Sequence, residues 1–206
     1  MSVQLDVRQR IESIVQNSPV VLFMKGERER PECGFSATVV GILDLFLPEY
    51  ATINVLQDVQ LRQGIKEYAD WPTIPQLYVR GRFAGGCDIL KEMDAAGDLF
   101  ELLDVPKPAP CTPKVTVTPE AQAALEKVMP APGGPEMLRL RIDARDKPSL
   151  SLEGKLPHDV VVRQDETALV LDPLSASRAD GWTIDHKQDG MSGGFAVQPP
   201  AAVLSS

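Results

Sequence analysis

Residues 20–46 read VVLFMKGERERPECGFSATVVGILDLF, and this stretch decides the fold of the first half of the chain. The apolar run 20–24 predicts a short buried strand that Lys25-Gly26 closes. After a polar loop and Cys33, apolar residues recur at helical spacing; they are Val39, Val40, Ile42, Leu43 and Phe46. The sequence therefore places Cys33 between a strand and a helix.

The run Cys33-Gly34-Phe35-Ser36 carries one thiol where a C-x-x-C pair carries two, because serine occupies the second position. A cysteine at a helix N-terminus faces unpaired backbone N–H groups, which favour the thiolate, and Lys25 adds a positive charge. The alternative is a buried structural cysteine with a surface lysine, which the loop location disfavours. A thiolate here attacks a disulfide or holds a metal, but its partner sulfur must come from elsewhere.

Helices and strands alternate around this stretch, which predicts an α/β sandwich with functional loops at the strand ends. The predicted helices are Val3–Asn17, the one after Cys33, Val59–Tyr68 and a last one opened by Gly85-Gly86. The other predicted strands are Tyr50–Leu56, Gln76–Val79 and a fourth that follows the turn at Arg80-Gly81.

Trp71-Pro72-Thr73-Ile74-Pro75 is a second informative stretch, since it places two prolines just before a strand. It predicts either a rigid turn with a cis peptide at Pro75, open to pairing with an extended peptide, or an ordinary proline-rich lead into the strand.

The third stretch is Gly85-Gly86-Cys87-Asp88, at the start of the last helix. Asp88 can cap that helix or bind an amine, and capping is the default expectation. Cys87 either forms a disulfide with Cys33 under oxidation or is a small residue near the site. Cys111 lies in a proline-rich stretch, where incidental exposure is the simpler interpretation, although it can still be oxidised.

Together these stretches resemble the monothiol glutaredoxins, whose pattern is a lysine eight residues before C-G-F-S, then W-P-T-x-P, then G-G-C-D. The resemblance covers about residues 1–105 and implies a thioredoxin-like fold with Pro75 in the cis form. One departure lies in the loop, where Glu27-Arg28 replaces the common Thr-Pro and Glu32 precedes the cysteine. This departure can alter the acidity of Cys33 and its choice of partner.

The resemblance also implies a binding site for glutathione. Lys25 and Arg62 would hold its glycine carboxylate, Thr73 and Ile74 would pair with its backbone, Cys87 and Asp88 would bind its γ-glutamyl end, and Cys33 would meet its sulfur. The same implied binding set includes Gly34, Phe35, Pro75 and Gly86.

The resemblance further implies a [2Fe-2S] cluster ligated by Cys33. Such a cluster takes four thiolates. One chain with one glutathione supplies two, so the cluster-bound form is expected to be a homodimer with two glutathiones. Exchangeable ligands suit a carrier that passes the cluster to iron-sulfur acceptor or assembly proteins. The alternative function is an oxidoreductase in which Cys33 attacks protein-glutathione mixed disulfides.

The stretch VPKPAPCTP at 105–113 has four prolines in nine residues and marks a boundary. We expect a first domain at 1–106, a linker at 107–114 and a smaller β-rich α+β domain at 115–206. A helix from Thr118-Pro119 through Val128 and a loop at 130–135 are predicted there. The predicted strands are Leu138–Ile142, Val160–Val162, Ala168–Leu171 and Phe195–Val197.

The second domain resembles the A-type iron-sulfur carriers (HesB-like) in residues 115–200, through its turn residues and hydrophobic pattern. That family binds metal through one cysteine in mid-domain and a C-x-C pair, whereas this half has no cysteine after Cys111. His158 and His186 are poor substitutes, since a lone histidine near a strand is usually a surface or hydrogen-bonded residue. We interpret the domain as a degenerate scaffold that docks a partner or the first domain.

Net charge of −8 argues against a nucleic-acid partner. Three cysteines are too few for a secreted disulfide framework and are read as reduced thiols. The N-terminal residues lack the order of a signal peptide, and no apolar run reaches the ~18 residues needed to span a bilayer. The sequence therefore predicts a soluble, cytoplasmic protein without a membrane partner.

Overall fold

The computed structural model describes residues 6–128, 136–164, 167–189 and 192–200. The chain divides into two compact units, Met1–Pro106 and Lys107–Ser206, and each is described by itself. The role of residues 107–114 as a linker stays a prediction. Among the described residues, no helix has both the length and the apolar character needed to cross a bilayer.

The first unit alternates helices and strands as the sequence predicts. Its helices are α1 (Val7–Asn17), α2 (Gly34–Phe46), α3 (Val59–Tyr68), α4 (Cys87–Ala96) and α5 (Leu99–Leu102). Its strands are β1 (Val20–Met24), β2 (Gly26–Glu27), β3 (Arg30–Pro31), β4 (Ala51–Asn54), β5 (Gln76–Val79) and β6 (Arg82–Gly85). The first residues of the predicted helix Val3–Asn17 lie outside the described residues.

Four of these strands form one mixed sheet in the order β4-β1-β5-β6. β1 runs parallel to β4 and antiparallel to β5, and β5 pairs with β6 in a hairpin. β1 is central and apolar because the sheet is covered by helices, and Val21 to Met24 are fully buried. The thioredoxin-like α/β fold predicted for this half is confirmed.

The loop between β1 and Cys33 contains a small hairpin that the sequence did not predict. β2 and β3 pair antiparallel, with Arg28-Glu29 as the two-residue turn between them. Each strand has only two residues and no apolar alternation, so the usual strand signal is absent. Gly26 has φ +85°, and a Cβ there would lie 2.5 Å from the backbone oxygen of Arg30. The first residue of this hairpin therefore must be glycine.

The second unit is β-rich, as predicted. Its helices are α6 (Pro119–Val128) and α7 (Pro173–Arg178), and its strands are β7 (Thr116–Val117), β8 (Glu136–Ile142), β9 (Pro148–Gly154), β10 (Val160–Gln164), β11 (Thr167–Leu171), β12 (Thr183–Asp189) and β13 (Ser192–Gln198). The Thr118 hydroxyl accepts a 3.2 Å hydrogen bond from the N–H of Ala121, which confirms the predicted cap of α6. The loop predicted at 130–135 lies outside the described residues.

The strands of the second unit form two sheets, in the orders β10-β11-β8-β9 and β13-β12-β7. Leu140, Ile142, Leu171 and Ile184 are fully buried between these elements. Arg139 is also fully buried, and its guanidinium donates bonds of 2.8 and 2.6 Å to the two carboxylate oxygens of Asp159. This unit therefore has its own core, and the Arg139–Asp159 pair lies inside it.

Candidate functional site

Cys33 occupies the N-cap position of α2 in an extended conformation, as the sequence predicts. Its sulfur makes no side-chain capping bond to the helix. The backbone N–H of Ser36 lowers the pKa of the Cys33 thiol most; partial burial opposes this, and the N–H of Phe35 and the charge of Lys25 reinforce it. The thiol is half-buried, so the favoured thiolate remains within reach of a reactant.

Ser36 has a structural role in place of a second thiol. It is fully buried, and its Oγ accepts a 3.1 Å hydrogen bond from the backbone N–H of Lys25. This bond joins the end of β1 to the first turn of α2. The Ser36 hydroxyl also helps to lower the pKa of Cys33. Ser36, which stands where a C-x-x-C motif has its second cysteine, thus favours the thiolate of Cys33 and cannot form a disulfide with it.

A cleft of about 280 Å³ has Phe35, two residues after Cys33, in its wall. Nine of the residues predicted for binding line it: Lys25, Phe35, Arg62, Thr73, Ile74, Pro75, Gly86, Cys87 and Asp88. The predicted residues Cys33 and Gly34 are not part of this wall. They precede Phe35 at the start of α2, and nothing lies within 4 Å of where a Gly34 side chain would begin.

The cleft is also lined by three residues that the sequence did not predict for the site: Lys66, Trp71 and Pro72. Lys66 lies four residues after Arg62 on α3, and residues at that spacing share a helix face. This spacing is the signal that could have found Lys66. Trp71 and Pro72 belong to a motif that was recognised, but they were not assigned to the site.

Positive and negative side chains of the cleft come from different parts of the first unit. Lys25 directly follows β1, Arg62 and Lys66 lie on α3, and Asp88 lies in the first turn of α4. The residues of the 73–75 turn line the same cleft. Such a lining suits a small extended ligand that carries a carboxylate and an amine.

The turn before β5 has the predicted cis bond between Ile74 and Pro75. The buried side chain of Gln76 donates hydrogen bonds to the carbonyl oxygens of Trp71 (3.0 Å) and Thr73 (3.1 Å). Gln76 therefore ties two residues of the cleft wall, Trp71 and Thr73, to the start of β5.

The start of α4 corrects one expectation. The N-cap is Gly86, α4 begins at Cys87, and the helix has no side-chain capping bond. The default expectation that Asp88 caps the helix is therefore wrong, because Asp88 lies one residue inside the first turn. A Cβ at Gly86 would lie 3.0 Å from Nε1 of Trp71, so the glycine allows the indole to pack closely. Within the described part of the chain, that Nε1 is buried without a hydrogen-bond acceptor.

The other two cysteines differ from Cys33. Cys87 is buried, and burial raises the pKa of its thiol most, with the charges of Asp88 and Cys33 adding to this. Cys111 is exposed, and all three thiols are free. A disulfide between Cys33 and Cys87 stays a prediction.

In the second unit, His158 is exposed and His186 is half-buried with its ring edge-on to Phe195, at 5.0 Å between centroids. Among the described residues, no three histidine, cysteine or acidic side chains are grouped as a metal site would require.

Comparisons with known proteins match about half of the chain. The sequence profile of the glutaredoxin family matches residues 20–84. Over 107 residues the chain is 47% identical to the mitochondrial monothiol glutaredoxin-5 of Saccharomyces cerevisiae, covering 50% of this chain and 71% of that protein. Over 93 residues it is 50% identical to the probable monothiol glutaredoxin 2 of Rickettsia typhi, covering 45% and 84% respectively. The solution structure of reduced poplar apo GrxS14 is 44% identical, with a TM-score of 0.45, and covers 50% of this chain and 95% of that one.

Proposed function

Because this chain belongs to the monothiol glutaredoxin family, we propose that its first unit binds glutathione and uses Cys33 to carry a [2Fe-2S] cluster to acceptor proteins. The observation that carries the proposal is the pairing of one favoured thiolate with a cleft whose walls offer three cations and one carboxylate. Glutathione has a carboxylate at its glycine end and an amine beside its γ-glutamyl carboxylate. Both ends therefore find a complement.

The glutathione proposal assigns the cleft residues to parts of the tripeptide. Lys25, Arg62 and Lys66 bind the glycine carboxylate, and Asp88 binds the γ-glutamyl amine. The backbone of Thr73 and Ile74 pairs with the peptide groups between them. A neighbour of known structure, buckwheat glutaredoxin, was solved as a complex with glutathione.

The cluster is cargo, and the cysteines of this chain limit how it is held. A [2Fe-2S] cluster requires four ligands, usually thiolates. Cys33 has a lowered pKa and is partly exposed, whereas burial raises the pKa of Cys87 and so disfavours its thiolate. The first unit of one chain thus offers one good ligand, which supports a cluster shared by two chains with a glutathione thiolate from each.

Anaerobic reconstitution with iron, sulfide and glutathione tests this proposal. The native chain should give a visible-absorbing dimer, Cys33→Ser a colourless monomer, and the control Cys111→Ser, whose exposed thiol lies outside the cleft, a dimer as in the native chain. Visible absorption that survives in Cys33→Ser would overturn the assignment of Cys33 as ligand.

A second candidate function is supported by the lowered pKa of Cys33 together with its partial exposure. The Cys33 thiolate attacks the glutathione sulfur of a protein-glutathione disulfide and releases the protein thiolate. A second glutathione thiolate then attacks the Cys33-glutathione disulfide, releases oxidised glutathione and restores Cys33. Rapid reduction of a glutathionylated protein by a chain that assembles no cluster would favour this function over carriage.

For residues 115–206 of the second unit we propose a cysteine-free scaffold of the A-type carrier kind that docks an acceptor or assembly protein. The absence of cysteine after Cys111 supports a docking role over cluster ligation. Cross-linking of the native chain to a candidate acceptor, with the linked peptides identified by mass spectrometry, tests the proposal. Links confined to the first unit would contradict it.

A further inference from the structure

Arg28, at the tip of the β2-β3 hairpin, is buried although it is charged and lies in a turn. Its Nε donates a 2.8 Å hydrogen bond to Asp44, and its two terminal nitrogens donate to the carbonyl oxygens of Pro48 (3.1 Å) and Leu47 (3.3 Å). The guanidinium carbon lies 4.1 Å from the centre of the Tyr50 ring, and the Tyr50 hydroxyl donates to the same oxygen of Asp44 at 2.9 Å. We call this set of contacts the Arg28 latch.

The latch lies at the end of α2 opposite Cys33. Leu47 is the C-cap of α2, so its carbonyl belongs to the negative end of the helix, where a cation is favoured. The helix has 13 residues, a length of about 20 Å, and Cys33 caps its other end. The hairpin that begins after Lys25 and leads into Cys33 is therefore fastened to the far end of the helix that Cys33 starts.

The base of the same hairpin is fastened near the thiol. The N–H of Gly26 donates to the side chain of Asn54 at 3.1 Å, and the N–H of Glu32 donates to the carbonyl of Lys25 at 2.9 Å. Glu32 is the residue before Cys33. With its base and its tip both held, the hairpin has little freedom to carry Cys33 away from α2.

We propose that Arg28 is a positioning residue for Cys33: by fastening the hairpin tip to the C-terminal end of α2, it holds Cys33 at the N-cap position of the same helix. The cation that acts on the thiol by charge is Lys25. Arg28 therefore acts through geometry. The inference rests on the proposed role of Cys33 as the reacting thiol, but its test needs neither glutathione nor a cluster, so the two fail separately.

The test measures how fast iodoacetamide alkylates Cys33 as a function of pH, read by mass spectrometry of the Cys33 peptide in the full chain. Arg28→Ala should shift the pH midpoint upward and slow alkylation at pH 7 by about three- to tenfold, because the thiolate loses part of the stabilisation that it receives from the start of the helix. At high pH, where the thiol is ionised in both proteins, the two rates should converge. Arg28→Lys keeps the charge but loses the forked contacts of the guanidinium, so its pH midpoint should lie between those of the native chain and Arg28→Ala.

Val15→Ala is the matched control, since Val15 is fully buried in the core of the same unit and belongs to α1. It should lower the Tm without moving the alkylation midpoint. An unchanged midpoint in Arg28→Ala, with a lowered Tm, would overturn the proposal and leave Arg28 as a stabilising residue only. If Arg28→Ala does not fold, Arg28→Lys and Asp44→Asn decide the matter by the same criterion, because each weakens the latch without removing it.

Discussion

The backbone N–H of Lys25 donates a 3.1 Å hydrogen bond to the hydroxyl of Ser36. The bond joins the residue that follows β1 to the first turn of α2, and Ser36 is fully buried. A serine at this position therefore does more than omit a thiol: it fixes the two sides of the site between which Cys33 lies.

Ser36→Cys should convert the site into an internal dithiol. A thiol is a weaker acceptor than a hydroxyl, so the variant should lose about 1 kcal/mol of stability, and its new thiol should close a disulfide with Cys33 in air. Mass spectrometry should show the loss of two hydrogens, and reconstitution should give less cluster. Ser36→Ala, which loses the bond without gaining a thiol, is the control and should still bind a cluster. A Ser36→Cys chain that stays fully reduced in air would contradict the prediction.

The reactivity of Cys33 should depend on pH in a defined direction. Because the N–H of Ser36 and the other groups at the helix start lower its pKa, Cys33 should be alkylated faster at neutral pH than Cys87, whose pKa burial raises. The pKa of Cys33 in the folded protein is lower than the value of about 8.5 for an unfolded chain. The difference stabilises the fold fully at pH values above the unfolded pKa, and this stabilisation is lost as the pH falls through the folded-state pKa. Peptide-resolved alkylation between pH 5 and 10 measures this order. A reversed order would contradict the account of the helix terminus.

Glutathione binding should weaken when a cation of the cleft is neutralised. Arg62→Gln and Lys66→Gln should each cost about 1 kcal/mol, or about fivefold in Kd, since each removes one partly solvated contact to a carboxylate. Binding of S-methylglutathione can be followed through the fluorescence of Trp71, which lines the cleft. Trp71→Phe should abolish the signal.

The control for this titration is Lys127→Gln, which changes an exposed lysine of α6 in the second unit. It should leave the Kd unchanged. If Lys66→Gln behaves as this control does, Lys66 is not a ligand contact and the carboxylate subsite is smaller than proposed.

In the second unit, two neighbouring arginines of β8 should differ sharply in their effect on stability. Arg139→Met leaves the carboxylate of Asp159, which is 1% exposed, without its buried partner and should cost about 3–5 kcal/mol. Arg141→Met removes a pair to Glu153 that is about one third exposed and should cost less than about 1 kcal/mol. Urea unfolding followed through the buried Trp182 checks both variants. Equal costs would contradict the assignment of Arg139 as a core residue.

The sequence predicted the frame of the first unit because the frame follows from local patterns. The bounds of α3 at Val59–Tyr68 and of β5 at Gln76–Val79 are those expected, since each has a clear apolar period and a turn on either side. The cis bond before Pro75 and nine of the residues around the cleft were also anticipated, because the separated motifs resemble one family.

What the sequence missed depends on contacts between distant residues. Arg28 was noted only as a departure from the family pattern, because its partner Asp44 is 16 residues away and neither residue indicates the other. In the second unit, β9 was missed although Leu150 and Leu152 alternate with polar residues, a signal that was available. β12 was missed because its polar residues show no clear alternation, and its pairing with β13 and β7 decides its conformation.

The most direct test of the central claim is the ratio of glutathione to cluster in the purified, reconstituted dimer. Acid release followed by separate assays of glutathione, iron and sulfide should give about two glutathiones for each two irons and two sulfides, with two copies of the chain. The ratio should be unchanged in a Cys111→Ser chain, whose exposed thiol has no part in the account. A cluster that assembles on the native chain without glutathione, or that retains no glutathione, would show that glutathione is not a ligand of the cluster beside Cys33.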